Sequence, residues 1–164
     1  MSRGAGGDTL IEIRATVPMS ASADDVWALL TDWPAHSRWI PATDVVVLED
    51  TGGVGTRFVG RSHVGPLGFD DPMTVTEFVP PSGSDAGRCH ILKTGRVVVG
   101  TAGFTVTATG QRTSTVAWWE DVTVAPTRLT RRLEPLIARA GDRAFARVLR
   151  AAATELSHRR GQPA

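Results

Sequence analysis

A chain of 164 residues, 41% hydrophobic and 21% charged, has the makeup of one globular domain, long enough to bury about 70% of its unfolded surface and still keep a cavity. Its formal charge of +1 hides a split: residues 1–126 carry nine Arg and Lys against fourteen Asp and Glu, and residues 127–164 nine against three, which argues against a wholesale nucleic-acid binder. The single cysteine, Cys89, excludes an intrachain disulfide, and neither a secretory leader nor an apolar run of about 18 residues is present, so a cytoplasmic protein with no integral membrane association is expected.

Residues 1–8 read as a flexible Gly-rich leader, 9–158 as one domain and 159–164 as a flexible tail. From Thr9 to Val17, Ile11, Ile13, Ala15 and Val17 alternate with polar residues, which describes a half-buried strand ended by Pro18. Ser22 then caps a short helix whose first turn holds Asp24 and Asp25. Pro34 starts a second short helical turn that runs through Trp39.

Six strands follow: Thr43 to Leu48, Gly55 to Val64, Phe69 to Val79, Arg88 to Thr94, Gly100 to Thr109 and Ser114 to Val124. Pro72 predicts a bulge or an edge position in the third of these. Hairpin-length connections make neighbouring strands antiparallel. Seven antiparallel strands with helices gathered on one face form an α+β layer fold with a curled sheet.

The last segment, Pro126 to His158, is a long helix opening at Thr127 and stopping at Arg159, Arg160 and Gly161. Its apolar residues form two sets, Leu129, Leu133, Leu136, Ile137 and Ala140, then Phe145, Val148, Leu149, Ala152 and Leu156. The second set lies about 130° around the axis from the first. Such a helix is expected to bend near Pro135 and Gly141 and to roof a concave space. Arg128, Arg132, Arg139, Arg143 and Arg150 share one face, either a solvated outer surface or a docking stripe for an anionic partner.

Few motifs carry chemistry. Gly52-Gly-Val-Gly-Thr lacks the Lys-Ser/Thr of a phosphate loop and precedes a strand, so it reads as a hairpin turn. His36, His63, His90 and His158 have no metal-ligand spacing, and no metal or cofactor is expected. Asp70 and Asp71 face opposite sides of a strand and read as a solvated pair near a turn. Glu120 shares parity with Trp118 and Val122, which turns its carboxylate inward as a candidate acid/base or ligand anchor. It could also reach Arg128 or Arg131, or point out through a bulge. Trp119, of opposite parity, is expected on the outer face, where it could serve a homodimer.

The chain resembles a known family at several places. Ala23-Asp-Asp-Val-Trp-Ala-Leu-Leu-Thr-Asp-Trp, followed by Trp39-Ile-Pro, resembles the opening of the polyketide cyclase/dehydrase-like proteins of the START-related (SRPBCC) superfamily. Gly53-Val-Gly-Thr-Arg-Phe, Val75-Thr-Glu-Phe-Val-Pro-Pro and Ser114-Thr-Val-Ala-Trp-Trp-Glu resemble later strands and turns of the same family. The resemblance implies the helix-grip fold, a curved seven-stranded antiparallel sheet around a long C-terminal helix, with a hydrophobic cavity between them. It carries no shared catalytic set.

The expected function is therefore binding or transport of a small hydrophobic molecule, a lipid, isoprenoid or polyketide-like compound. Candidate cavity residues are Trp33, Trp39, Ile40, Phe58, Ser62, Met73, Phe104, Trp118, Leu133, Leu136, Ile137 and Phe145; the competing reading of these aromatics is ordinary core. The alternatives are a cofactor-independent cyclase or dehydratase with Glu120 as acid/base, and a protein- or membrane-docking module built on the arginine face.

Overall fold

In the computed structural model the described residues run from 10 to 161, with the side chains of 64, 127–129, 131 and 159–161 excepted. The expected leader, 1–8, and the end of the expected tail, 162–164, lie outside them. The strands are β1 (Ile11–Met19), β2 (Thr43–Glu49), β3 (Arg57–Val64), β4 (Leu67–Val79), β5 (Gly87–Thr94), β6 (Val98–Gly110) and β7 (Thr113–Val124). They form one antiparallel sheet in the order β1-β7-β6-β5-β4-β3-β2. Every neighbour except the β1–β7 pair is consecutive in sequence, as hairpin-length turns dictate.

Helix α1 (Ala23–Leu30) begins where expected, with the Ser22 hydroxyl accepting the Asp25 N–H at 3.2 Å. A 3-10 helix, Trp33–Arg38, follows with Pro34 in its first turn. The apolar sides of both sit in the main core: Val26, Trp27, Leu29, Leu30, Trp33 and Ala35 are buried together with Phe104, Val106 and Val116 of the sheet. Trp33 stacks on Phe58 at 4.4 Å, which fixes the 3-10 helix over β3.

Strand β1 keeps strict alternation over its whole length and includes Pro18, which stays in register opposite Thr115. β1 is an edge strand, so the missing Pro18 N–H costs little. Pro72 is likewise regular, opposite Val59. It lies just beyond Met73, the last β4 residue paired with β5, where no ladder bond is lost. The bulge in β4 falls instead between Val75 and Glu77.

The long helix α2 (Thr127–Gly161) is one α-helix that contains Pro135 and continues through the expected stop. Its second apolar set packs as expected: Leu149, Ala152 and Leu156 are buried, and Phe145 and Val148 pack beside them. The first set does not. Leu133 and Leu136 are 41% and 64% exposed, while Ile137 packs on the Ile11, Ile13 and Val122 cluster. The change of face therefore marks where an exposed half gives way to a buried half.

Gly141 has a different task. A Cβ there would come within 2.7 Å of Ile13 Cδ1, so the helix needs glycine to press against β1. One residue on, Asp142 Oδ1 accepts the Arg14 backbone N–H at 2.8 Å. α2 thus covers the free edge of the sheet and satisfies one of its unpaired donors. Arg132, Arg139, Arg143 and Arg150 are exposed, as either reading of that face requires.

Candidate functional site

The concave face of the sheet does not fill completely. A cavity of about 240 Å³ remains, walled chiefly by Phe58, Met73, Ile91, Trp118, Val122 and Phe145, with Ile40 and Thr43 from the segment after the 3-10 helix. Its volume lies below the ~300–1,000 Å³ of pockets that take drug-sized ligands. Space for one to three rings is what remains. Ser62 and Phe69 belong also to an open crevice beside the β3–β4 hairpin.

Three charged side chains from three strands meet in the wall of this apolar space. Lys93 Nζ lies 2.7 Å from Asp71 Oδ2 and 3.4 Å from Glu120 Oε2. Trp118 Nε1 donates to Glu120 Oε1 at 3.3 Å. All three charged residues are buried, at 7%, 8% and 4% exposure for Lys93, Asp71 and Glu120. The second Asp71 oxygen, Oδ1, is buried with no hydrogen-bond partner.

Strand register explains how they come together. Glu120 is paired with Ala102 of β6, Ala102 with Ile91 of β5, and Lys93 stands two residues from Ile91 on the same face. Lys93 is in turn paired with Met73 of β4, and Asp71 stands two residues from Met73. The charges therefore lie on a diagonal across four strands. Strands are about 4.8 Å apart, so Lys93 and Glu120 must reach across β6. Gly100 and Ala102, the small residues of β6 opposite Lys93 and Glu120, leave the room for it.

Electrostatics follow from this placement. Burial disfavours the Glu120 carboxylate and raises its pKa above the ordinary value; Lys93 and the Trp118 N–H oppose the shift without cancelling it, and Asp71 adds to it. Burial by itself would lower the pKa of Lys93, but the charges of Glu120 and Asp71 outweigh it and hold the ammonium above its ordinary range. Lys93 is thus a fixed cation and hydrogen-bond donor, not a free amine. Glu120 is a carboxyl group poised to hold or pass a proton.

His36 also lines the cavity. Its Nε2 lies 2.8 Å from the Leu30 carbonyl oxygen, and burial lowers its pKa from 6.5. Cys89 is fully buried, and burial pushes its thiol up to about 12, which makes it a packing group. Among the described residues no group of three His, Cys, Asp or Glu is arranged to hold a metal ion.

Of the residues expected at the cavity, Ile40, Phe58, Ser62, Met73, Trp118, Phe145 and Glu120 line it. Trp33, Trp39 and Phe104 are instead solid core, at 5%, 6% and 0% exposure. Trp33 is used up against Phe58, and Phe104 is sandwiched between Trp27 and Trp118. Trp39 Nε1 donates to Glu155 Oε2, a carboxylate that also takes Arg38, tying the 3-10 helix to α2. Leu133 and Leu136 face solvent, and Ile137 packs on the β1–β7 cluster without itself lining the cavity.

Asp71 is not half of a solvated pair: Asp70 is exposed, but Asp71 is buried on Lys93. Glu120 points inward, and its cationic neighbour is Lys93; the side chains of Arg128 and Arg131 lie outside the described residues. Trp119 does fall on the outer face, but it lies over Gly103 and meets His90 edge-on at 5.2 Å, so it is half-covered by its own sheet. Lys93 escaped sequence reasoning, while Asp71 and His36 stand out there only as a solvated carboxylate and a histidine without metal-ligand spacing. The signal for Lys93 was there, since it occupies the inward position of the alternation Cys89, Ile91, Lys93.

Residues 11–157 match the family model described as polyketide cyclase/dehydrase and lipid transport. No curated protein matches the sequence. Several solved structures share the fold. The Zhui aromatase/cyclase from Streptomyces sp. R1128 superposes with a TM-score of 0.71 at 17% identity, over 92% of this chain and 96% of that one. Norcoclaurine synthase from Thalictrum flavum gives 0.61 at 19% identity, over 97% and 94%. A START superfamily protein from Mycobacterium smegmatis gives 0.66 at 16% identity, over 89% and 99%. Identities this low establish the helix-grip fold and nothing finer.

Proposed function

The chain belongs to the polyketide cyclase/dehydrase and lipid-transport family, and from that premise we propose that it binds a small, mostly apolar ring compound in the cavity beneath α2. The supporting observation is an apolar space of about 240 Å³ with its charged groups gathered in one part of the wall. Pockets of this kind use apolar walls for affinity and a few polar groups for orientation. The volume favours a compact polyketide-like or isoprenoid ring system over a long acyl chain. Native mass spectrometry of protein purified without denaturation, combined with displacement of a fluorescent fatty acid by a panel of ring compounds, tests this. Retained or competing ring ligands support it; no retained mass and no displacement by any compound would overturn it.

A second reading rests on the Lys93–Glu120 pair. Glu120, its pKa raised by burial, suits proton transfer, and the Lys93 ammonium suits a carbonyl oxygen that gains charge. In a cyclisation or dehydration the Glu120 carboxylate takes a proton from the carbon next to a ketone, and the C–H electron pair moves into an enolate whose oxygen Lys93 holds. In a dehydration the enolate then collapses to a new C=C bond as the C–O bond to the neighbouring hydroxyl breaks, and that hydroxyl takes the Glu120 proton and leaves as water. In a cyclisation the enolate carbon instead forms a C–C bond to a second carbonyl, whose oxygen takes the Glu120 proton; neither route calls for a cofactor. Exchange of the α-protons of 2-tetralone in deuterium oxide, by wild type and by Glu120→Gln, tests it. The reading requires exchange that saturates with 2-tetralone and falls at least tenfold in the variant; equal rates would leave binding as the function.

A further inference from the structure

His36 has one nitrogen committed and one in reserve. A carbonyl oxygen can only accept, so the contact with Leu30 O at 2.8 Å places the proton on Nε2. In the neutral ring Nδ1 is then an acceptor, and burial keeps the ring neutral. No described residue donates to it. The ring is surrounded by indoles, with centroids 5.6 Å from Trp33, 5.1 Å from Trp39 and 6.4 Å from Trp118. Two of those indole N–H groups are spent, Trp39 on Glu155 and Trp118 on Glu120. The residue is buried, Nδ1 is not one of the sealed-off polar atoms that lack a partner among the described residues, and the ring forms part of the cavity wall.

We propose that His36 is a second polar anchor of the cavity, separate from the Asp71–Lys93–Glu120 cluster, which accepts a hydrogen bond from a ligand hydroxyl and so selects hydroxylated aromatic compounds over their O-alkylated counterparts. This rests on the cavity being a ligand site. The tryptophans around His36 supply flat apolar surface for a ring, and Nδ1 supplies the only function a phenol needs beside it, an acceptor for its O–H. An ether of the same shape offers no donor and leaves Nδ1 unpaired.

The test compares 2-naphthol with 2-methoxynaphthalene by calorimetry at pH 7.5. It is combined with long-range 15N NMR of the His36 ring. The proposal expects 2-naphthol to bind about five- to tenfold more tightly and to move the Nδ1 resonance while Nε2 remains protonated. In His36→Phe the preference for the naphthol should vanish while 2-methoxynaphthalene still binds. If both probes bind wild type equally, or bind without moving Nδ1, the anchor is wrong and the cavity reading stands. If neither binds, both fall. The wild-type comparison decides the matter even where His36→Phe does not fold.

Discussion

Gly141 of α2 lies directly against Ile13 of β1, close enough that a Cβ at position 141 would stand 2.7 Å from Cδ1 and 2.8 Å from Cγ1 of the isoleucine. Ile13 also lines the cavity, so this contact sets how near the helix comes to the cavity wall. In an exposed helix interior, Gly→Ala gains about 1 kcal/mol. Here the added methyl must displace Ile13, and Gly141→Ala is expected to lose that gain or to destabilise. Ile13→Ala removes both Cδ1 and Cγ1, so the double variant should be more stable than the two single effects predict, by at least about 0.5 kcal/mol. Urea unfolding of the four proteins measures it; strict additivity would mean that the helix moves away freely.

Lys93 offers a sharper stability test. Replacing it with Met keeps most of the apolar stem but leaves Asp71 and Glu120 buried without a cation. Breaking a buried pair from one side costs about 3–5 kcal/mol. Lys93→Met should therefore cost several times more than the triple change Lys93→Met, Asp71→Asn, Glu120→Gln, measured by denaturant unfolding at pH 7. Equal losses would show that the charges are not coupled.

Glu120 ties stability to pH in a fixed direction. Its carboxyl group has a pKa raised above 4.5 in the folded chain, so between 4.5 and that higher value the native state holds a proton that the unfolded state has released. The resulting stability is fully present below pH 4.5 and is lost as pH rises through the folded value. Glu120→Gln removes the loss. The variant should gain on wild type as pH rises above 4.5, in thermal melts across that range, whereas parallel curves would place the carboxylate in water.

His36 acts on the acid side. Its pKa is lowered from 6.5, so the folded state resists a proton that the unfolded state accepts, and stability present above pH 6.5 is lost as pH falls. His36→Phe should flatten this part of the stability profile. An unchanged slope would mean that His36 titrates as an open histidine does.

Much of the fold is written in local periodicity. Strand β1 shows its buried face as Ile11, Ile13, Ala15 and Val17, and the hairpin turns fix the neighbour order of β2 to β7 without any tertiary information. Helix α2 was legible as a helix but not in its seating. Leu133 and Leu136 have the spacing of a buried stripe, and only the position of the sheet edge decides that they face water. For Glu120 parity was enough. Lys93 needed its strand parity combined with the pairing of β4 to β7, and His36 needed the 3-10 helix folded back over the sheet, both long-range facts. Aromatic content could not separate Trp118, in the cavity wall, from Phe104, its cross-strand partner in the solid core, because both look alike as residue types.

That difference can be measured. Phe104→Ala removes a fully buried ring from solid packing and should cost about 3–5 kcal/mol. Phe145→Ala borders existing empty space and should cost less while weakening any ring ligand that stacks beside Trp118, 5.4 Å away. Comparable losses of stability would place Phe145 in ordinary core.

The most direct test of the cavity as a ligand site is calorimetric titration of 2-naphthol into wild type and into Ala102→Leu. Ala102 is buried in the cavity wall, and a leucine there projects into the space where a ring would lie. Saturable one-to-one binding by wild type, absent from an Ala102→Leu protein that keeps its circular dichroism spectrum, is the result the cavity predicts. Equal binding by the two proteins, or no saturable binding by wild type, would contradict it.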